Sequence, residues 1–254
     1  MESNRIISLQ NAVNVRDLGG YQTTAGRTVA WHRLVRAGSL SDLTPADEQK
    51  LIDYGVAHDL DLRSDAEVRR APDRIPAAIA YRHLSVYPFS DRAPLWCRAY
   101  RHFYRRLVKT PVGMVATYEK MLTDSHANAI FREVFATVLA AEPNEAVLFH
   151  CAAGKDRTGV AAMMLLGALG VPEATIKADY LLTNRIYDAA AAGVRPSGSA
   201  AVDAMNAHPA EAANYRAVAT LIVRHYGDWP HYVMRQLGLS PADLTDLRKL
   251  YLID

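Results

Sequence analysis

The sequence predicts a mixed α/β chain, and three features carry that prediction. Strand-like stretches at 56–62, 79–86 and 146–149 alternate with helix-like ones. Ala146-Val147-Leu148-Phe149 is a continuous apolar run, the pattern of a strand buried on both faces. That run passes through a glycine-containing loop directly into Thr158 to Leu169, an apolar stretch of helical length.

The first clear helix is expected at 44–54. Thr44 is a good N-cap, Pro45 suits the first helical position, and Gly55 can end the helix in a left-handed conformation. Val56 to Leu62 then alternates roughly apolar and polar, as a strand does. Ile79 to Val86 is a second strand candidate, after the turn-rich Ala71-Pro72-Asp73-Arg74-Ile75-Pro76. Helices are expected over 97–141, interrupted near Thr110-Pro111 and Asp124-Ser125. After the 146–149 strand, the Thr158–Leu169 helix should stop at Gly170, with Pro172 just beyond. The last third, 173–254, is expected to be helical throughout, with Ser240-Pro241-Ala242-Asp243 opening the final helix. Ala189 to Ser199 is its one soft connection.

A chain of 254 residues, half of them hydrophobic and 22% charged, suits one globular domain spanning 1–254. The net charge of +2 gives no general attraction to nucleic acid, although a local basic patch stays compatible with it. Two cysteines, Cys97 and Cys151, are too few for a disulfide framework and point to a reducing, cytoplasmic setting. Met1-Glu2-Ser3-Asn4-Arg5 lacks the basic and apolar regions of a signal peptide, and Val160 to Leu169 is too short to insert stably in a bilayer.

The chemistry concentrates in His150-Cys151-Ala152-Ala153-Gly154-Lys155-Asp156-Arg157-Thr158-Gly159. Displacement at a phosphate monoester needs an anionic nucleophile, a cradle for three oxygens, a fixed positive charge and a proton for the leaving group. Cys151 stands between a strand and a helix N-terminus, where partial positive charge lowers a thiol's pKa. Ala152, Ala153 and Gly154 are small enough for close backbone approach. With Lys155, Asp156 and Arg157 they supply consecutive N–H groups able to form an anion nest. Arg157, six positions after Cys151, can hold two phosphate oxygens at once. Thr158 can give the sulfur a hydroxyl hydrogen bond, and Gly159 follows it. A nucleotide-binding Walker loop is excluded, because Phe149 stands where its first glycine belongs and Asp156 follows Lys155. The isolated cysteines and nine histidines show no paired ligand spacing, so neither a metal nor another cofactor is expected.

His150-Cys151-x5-Arg157-Thr158-Gly159 resembles the signature of protein tyrosine phosphatases and dual-specificity phosphatases. With Ala153-Gly154-Lys155-Asp156-Arg157 it is similar to a narrower bacterial group of tyrosine and lipid phosphatases. Asn14-Val15-Arg16-Asp17-Leu18-Gly19-Gly20, Leu34 to Leu40, Asp61-Leu62-Arg63-Ser64 with Glu67, Asp179-Tyr180-Leu181-Leu182-x-Asn184 and the tail around Tyr226-Gly227 extend the likeness over most of the chain. The resemblance implies a central, mostly parallel sheet wrapped by helices, with the loop at a strand's C-terminal end. It also implies metal-free, two-step hydrolysis through a phosphocysteine.

The general acid has two candidates. Asp156 lies inside the loop, and Asp91 follows the strand-like Tyr81 to Val86; the sole Trp-Pro, Trp229-Pro230, is followed by His231 rather than Asp. Lys155 is either a second cation for multiply phosphorylated substrates or a solvent-facing residue. Arg63 either lines the site mouth or forms a structural ion pair. Arg16 and Asp17 read as structural. Tyr100, Phe103, Tyr104 and Leu107 recur at helical spacing, as core packing or as a lid. The expected substrates are phosphotyrosine, with phosphoserine, phosphothreonine and phosphoinositides as further classes. The rival readings are a non-catalytic phosphate-binding module and a thiol-based sulfurtransferase or arsenate reductase. Nothing in the sequence indicates an oligomeric state.

Overall fold

The computed structural model describes residues 5–89, 114–190 and 208–254. Asp91, Cys97, the 100–107 stretch and the Thr110-Pro111 interruption lie outside the described residues, as does most of the soft 189–199 connection.

The architecture is α/β with a mostly parallel central sheet. Two short strands, β1 (Arg16–Asp17) and β2 (Thr28–Val29), precede β3 (Leu34–Ala37). Helix α1 (Pro45–Asp53) begins on a reciprocal cap between Thr44 and Asp47, and Gly55 follows its end at φ 92°. Then come β4 (Val56–Asp61), α2 (Asp65–Arg70) and β5 (Ala80–His83), a shorter strand than the predicted 79–86. Helices α3 (Met114–Thr123) and α4 (Ser125–Ala140) break where predicted: Asp124 caps α4 by accepting from the amides of His126 and Ala127. The pair β6 (Ala146–His150) and α5 (Arg157–Leu169) flanks the loop, and Gly170 ends α5 at φ 87°. The remainder comprises α6 (Glu173–Ala190), α7 (Ala212–Tyr226), α8 (Trp229–Leu237), α9 (Pro241–Tyr251) and β7 (Leu252–Ile253).

The sheet order is β1-β3-β6-β4-β5, with β3, β6, β4 and β5 mutually parallel and β1 antiparallel to β3. The all-helical expectation for the last third is corrected at its end, where β7 pairs antiparallel with β2. Two residues carry no periodicity to betray a strand; only the distant partner creates it.

Both faces of the sheet are buried. From β6, Val147 and Phe149 enter a large core with α3–α5 and α7–α9, while Ala146 and Leu148 enter a smaller one with Val35, Leu43 and Leu51. This two-sided burial is why the β6 sequence is apolar without alternation. Each such large side chain contributes about 1.5–3 kcal/mol on burial. Helix α5 is buried along its whole length, so the catalytic-loop candidate is clamped between the central strand and the central helix. Among the described residues, no helix is long and apolar enough to cross a membrane.

Candidate active site

The chain leaves β6 at His150 and turns immediately through Cys151 to Asp156 before α5 starts. Three carbonyls of this turn are held from outside. Ala152 O accepts from the Ser39 amide (3.0 Å). Ala153 O accepts from Asn14 Nδ2 (3.0 Å) and the Tyr187 hydroxyl (2.7 Å), and Gly154 O from Asn14 Nδ2 (2.9 Å) and Arg36 Nη2 (2.8 Å). In a trans peptide the N–H points opposite to the preceding C=O. Fixing three carbonyls outward therefore turns the amides of Ala153, Gly154 and Lys155 inward. Inward amides in succession are the arrangement that an anion nest requires. Gly154 has φ 62°, and a Cβ there would lie 2.3 Å from Ala37 O, so no larger residue fits.

Cys151 is 1% exposed. Burial alone pushes its thiol up, but the Arg157 charge and the hydroxyl and amide of Thr158 outweigh it, and the net shift is downward. Arg157 is held in turn by Glu67, with Nη1 to Oε2 at 2.7 Å and Nη2 to Oε1 at 2.9 Å. The Tyr87 ring lies against the guanidinium, 5.0 Å from its carbon to the ring centroid. Glu67 also caps α2 by accepting from the Ser64 amide at 2.8 Å, so one carboxylate ties the start of α2 to the loop arginine.

Beneath the loop, Arg16 Nε donates to Asp179 Oδ1 at 3.0 Å, and Arg36 Nη1 donates to Asp179 Oδ2. Burial opposes the Asp179 charge, but Arg16 and Arg36 hold its carboxyl down to about 2. Arg16 also donates to the Asn14 side-chain oxygen, which orients the amide that grips the loop. Asn14 itself sits at φ 65°. Asp17 binds the Gly19 and His32 amides and the Tyr54 hydroxyl, a scaffold role.

His150 is fully buried. Its Nδ1 lies 3.2 Å from Cys151 O, and its Nε2 lies 3.0 Å from Asp73 Oδ2 and 3.4 Å from Asp59 Oδ1. Burial disfavours an imidazolium, but Asp73, Asp59 and Asp61 prevail and push its pKa up to about 10. Asp59, Asp73 and His150 place donor atoms within 4.8 Å of one another, a cluster not visible from histidine spacing. Asp73 pairs with both His150 and Arg63, and Asp61 with Arg63, while burial pushes the Asp59 carboxyl up to about 7.

Asp156 is buried beside Lys155 and Arg157. Its Oδ1 accepts from the Tyr118 hydroxyl at 2.6 Å, and Oδ2 is 3.6 Å from Lys155 Nζ. Burial raises its pKa against the pull of Lys155, Tyr118 and Arg157. Lys155, expected at solvent or at substrate, is 3% exposed and donates to His208 O.

The structure thus brings together Cys151, Ala152, Ala153, Gly154, Lys155, Asp156, Arg157, Thr158 and Gly159. Arg63 does not join them at a site mouth. It is buried, and its donors go to Asp61, Asp73, Ser39 and Ala71 O. Its neighbour Glu67 serves Arg157 instead. Sequence reasoning missed Arg36, Asn14, Tyr118 and Tyr187. Arg36 carried a signal, a lone charge inside an apolar Leu34–Ala37 run, which marks a buried ion pair when the run is a strand.

Comparison with known proteins agrees with this geometry. The tyrosine phosphatase family profile matches residues 7–253. A Cupriavidus necator protein, provisionally named a tyrosine-protein phosphatase, is 37% identical over 175 residues, 68% of this chain and 60% of its own length. A tyrosine-protein phosphatase of Nostoc commune is 34% identical over 149 residues, 59% of this chain and 47% of that one. The triple specificity protein phosphatase PtpB of Mycobacterium tuberculosis is 31% identical over 201 residues, 69% of this chain and 68% of that one. The chain therefore spans roughly half to two thirds of the length of these relatives. A loop whose carbonyls are pinned outward, with an acidified thiol and a clamped arginine, and a family match from residue 7 to residue 253 lead to one assignment: the chain belongs to the tyrosine phosphatase family.

Proposed function

We propose that the chain is one cysteine-dependent phosphatase domain that hydrolyses phosphate monoesters without a metal. The observation that carries the reading is the pairing of an acidified Cys151 thiol with the Glu67-clamped Arg157 across an inward-facing amide nest. In this reading Cys151 attacks phosphorus while Arg157 and the loop amides take up the charge on the equatorial oxygens. Asp156 protonates the leaving oxygen, and its upward-shifted pKa supports a proton being present there. The same carboxylate then accepts a proton from the water that cleaves the phosphocysteine, and Cys151 leaves as thiolate. Asp91 remains the alternative acid.

Phosphotyrosine is the first substrate of this proposal, with phosphoserine, phosphothreonine and phosphoinositides next. The name of the mycobacterial relative, a triple specificity phosphatase, supports trying all three classes. A cytoplasmic location belongs to the same reading, supported by the sparse cysteine usage.

The test is phosphate release from a phosphotyrosine peptide and from a short-chain phosphoinositide, by wild type and Cys151→Ser, with chelator present throughout. Release by wild type alone establishes the cysteine mechanism, and the ratio between substrates ranks the classes. Release that survives Cys151→Ser, or no release from either substrate, removes the proposal.

A further inference from the structure

Asp156 does not stand alone in the loop. Tyr118, on α3, places its hydroxyl 2.6 Å from Asp156 Oδ1. The same hydroxyl lies 2.7 Å from the hydroxyl of Tyr180, on α6. Both tyrosines are buried, at 0% and 1% exposure, and their rings meet edge to face. A tyrosine hydroxyl has a single proton to give. If Tyr118 gives its proton to Asp156, then Tyr180 must give its own to Tyr118. The direction of the chain is thus set, from Tyr180 through Tyr118 to Oδ1.

This direction distinguishes the two oxygens of Asp156. Oδ1 is occupied by a donor, which a protonated oxygen would repel. The Lys155 ammonium also faces the carboxyl, but at 3.6 Å from Oδ2 it stands a full ångström farther off than Tyr118 does from Oδ1, so an acid proton is accommodated on Oδ2 rather than on Oδ1. The charged groups around the carboxyl are Lys155 and Arg157 from the loop, with Lys155 Nζ 3.6 Å from Oδ2, and Cys151 across the turn. Of these only the Cys151 thiolate can accept a hydrogen bond from a protonated Oδ2, and once that sulfur has attacked phosphorus the proton is left for the leaving oxygen.

We propose that Tyr118 is a positioning residue that assigns the acid proton of Asp156 to Oδ2, with Tyr180 fixing the direction of the Tyr118 hydroxyl. The inference rests on Asp156 being the general acid. As the P–O bond to the leaving group breaks and the S–P bond to Cys151 forms, the Oδ2 proton passes to the leaving oxygen. In the second step a proton from the attacking water returns to Oδ2 while the S–P bond breaks. Tyr118 keeps its proton throughout and holds Oδ1 still.

The experiment compares wild type, Tyr118→Phe, Tyr180→Phe and Asp156→Asn on two aryl phosphates. One has an electron-poor phenol that departs without a proton; the other is phosphotyrosine, whose phenol needs one. Phe keeps the aromatic packing, so a purely structural role for Tyr118 slows both substrates alike. The proposal expects Tyr118→Phe to lower the phosphotyrosine rate roughly tenfold relative to the electron-poor substrate, a fraction of the 10²–10⁴ typical of a full general acid. Tyr180→Phe should move the same ratio in the same direction by less. An unchanged ratio in Tyr118→Phe, with a changed one in Asp156→Asn, overturns the role of Tyr118 and leaves Asp156 as acid. An unchanged ratio in Asp156→Asn overturns the acid assignment itself. Should Tyr118→Phe not fold, the ratio in Tyr180→Phe decides.

Discussion

Glu67 holds Arg157 at two points, 2.7 and 2.9 Å, and so fixes the plane of the guanidinium before any phosphate arrives. Glu67→Gln keeps the shape and the α2 cap, since Gln serves the same capping position. It loses one charge-assisted acceptor, a contact of about 1.5–3 kcal/mol. The expected result is a fall in kcat/KM of roughly 10–100-fold together with a melting temperature lower by several degrees. Steady-state kinetics beside a thermal melt check it; an unaltered kcat/KM shows that Arg157 orients itself without help.

The Cys151 thiol is shifted down mainly by Arg157, with Thr158 adding to it, against the cost of burial. Alkylation by iodoacetamide should therefore rise with pH about a midpoint below the ordinary thiol value of about 8.5. Arg157→Ala should move that midpoint upward. A wild-type midpoint at or above the ordinary value contradicts an acidified nucleophile.

Among the described residues, Asn14 is the one side chain that bonds both Ala153 O and Gly154 O. Its φ of 65° makes Ala a strained substitute, whereas Gly adopts that angle freely. Asn14→Gly thus isolates the loss of the amide. Stability should fall by about 1–3 kcal/mol, and the inhibition constant of inorganic phosphate should rise several-fold as the inward amides lose their restraint. Denaturant titration and phosphate inhibition together check both halves.

Asp179 neutralises two buried arginines, Arg16 and Arg36, and is held down to about 2 by them. Its folded pKa lies below the unfolded value of about 3.9. Its stabilisation is therefore present above about pH 4 and is lost as pH falls through about 2. Asp179→Asn leaves the arginines uncompensated and should cost about 3–5 kcal/mol at pH 7. The gap from wild type should narrow as pH approaches 2. Urea unfolding at neutral and acid pH gives the comparison.

The strand–loop–helix unit was legible because it is local. Ala146 to Leu169 carries its own pattern, and the loop's chemistry depends on neighbours in sequence. The capped starts of α1 and α9 were legible for the same reason, each cap spanning three residues. Strands β1, β2 and β7 were not, because two residues show no alternation and exist as strands only through distant partners. The loop's supports were hidden likewise: Asn14 and Arg36 reach it across more than a hundred residues. Of the two readings the sequence left open for Arg63, the structure has the ion pair, with Asp61 and Asp73. Its partners were hidden because Asp73 lies ten residues on and Glu67, on α2, pairs with Arg157.

β6 lies between β3 and β4, although both precede it in the chain by some ninety residues or more. During synthesis, β3 and β4 leave the ribosome with no bond to each other, and each waits for the same late segment. That segment runs straight into Cys151. The turn that follows Cys151 therefore takes its shape only in the event that joins the two halves of the sheet. The cost is kinetic: pairing at such separations is slow, and the unpaired edges of β3 and β4 are open to other chains until β6 arrives.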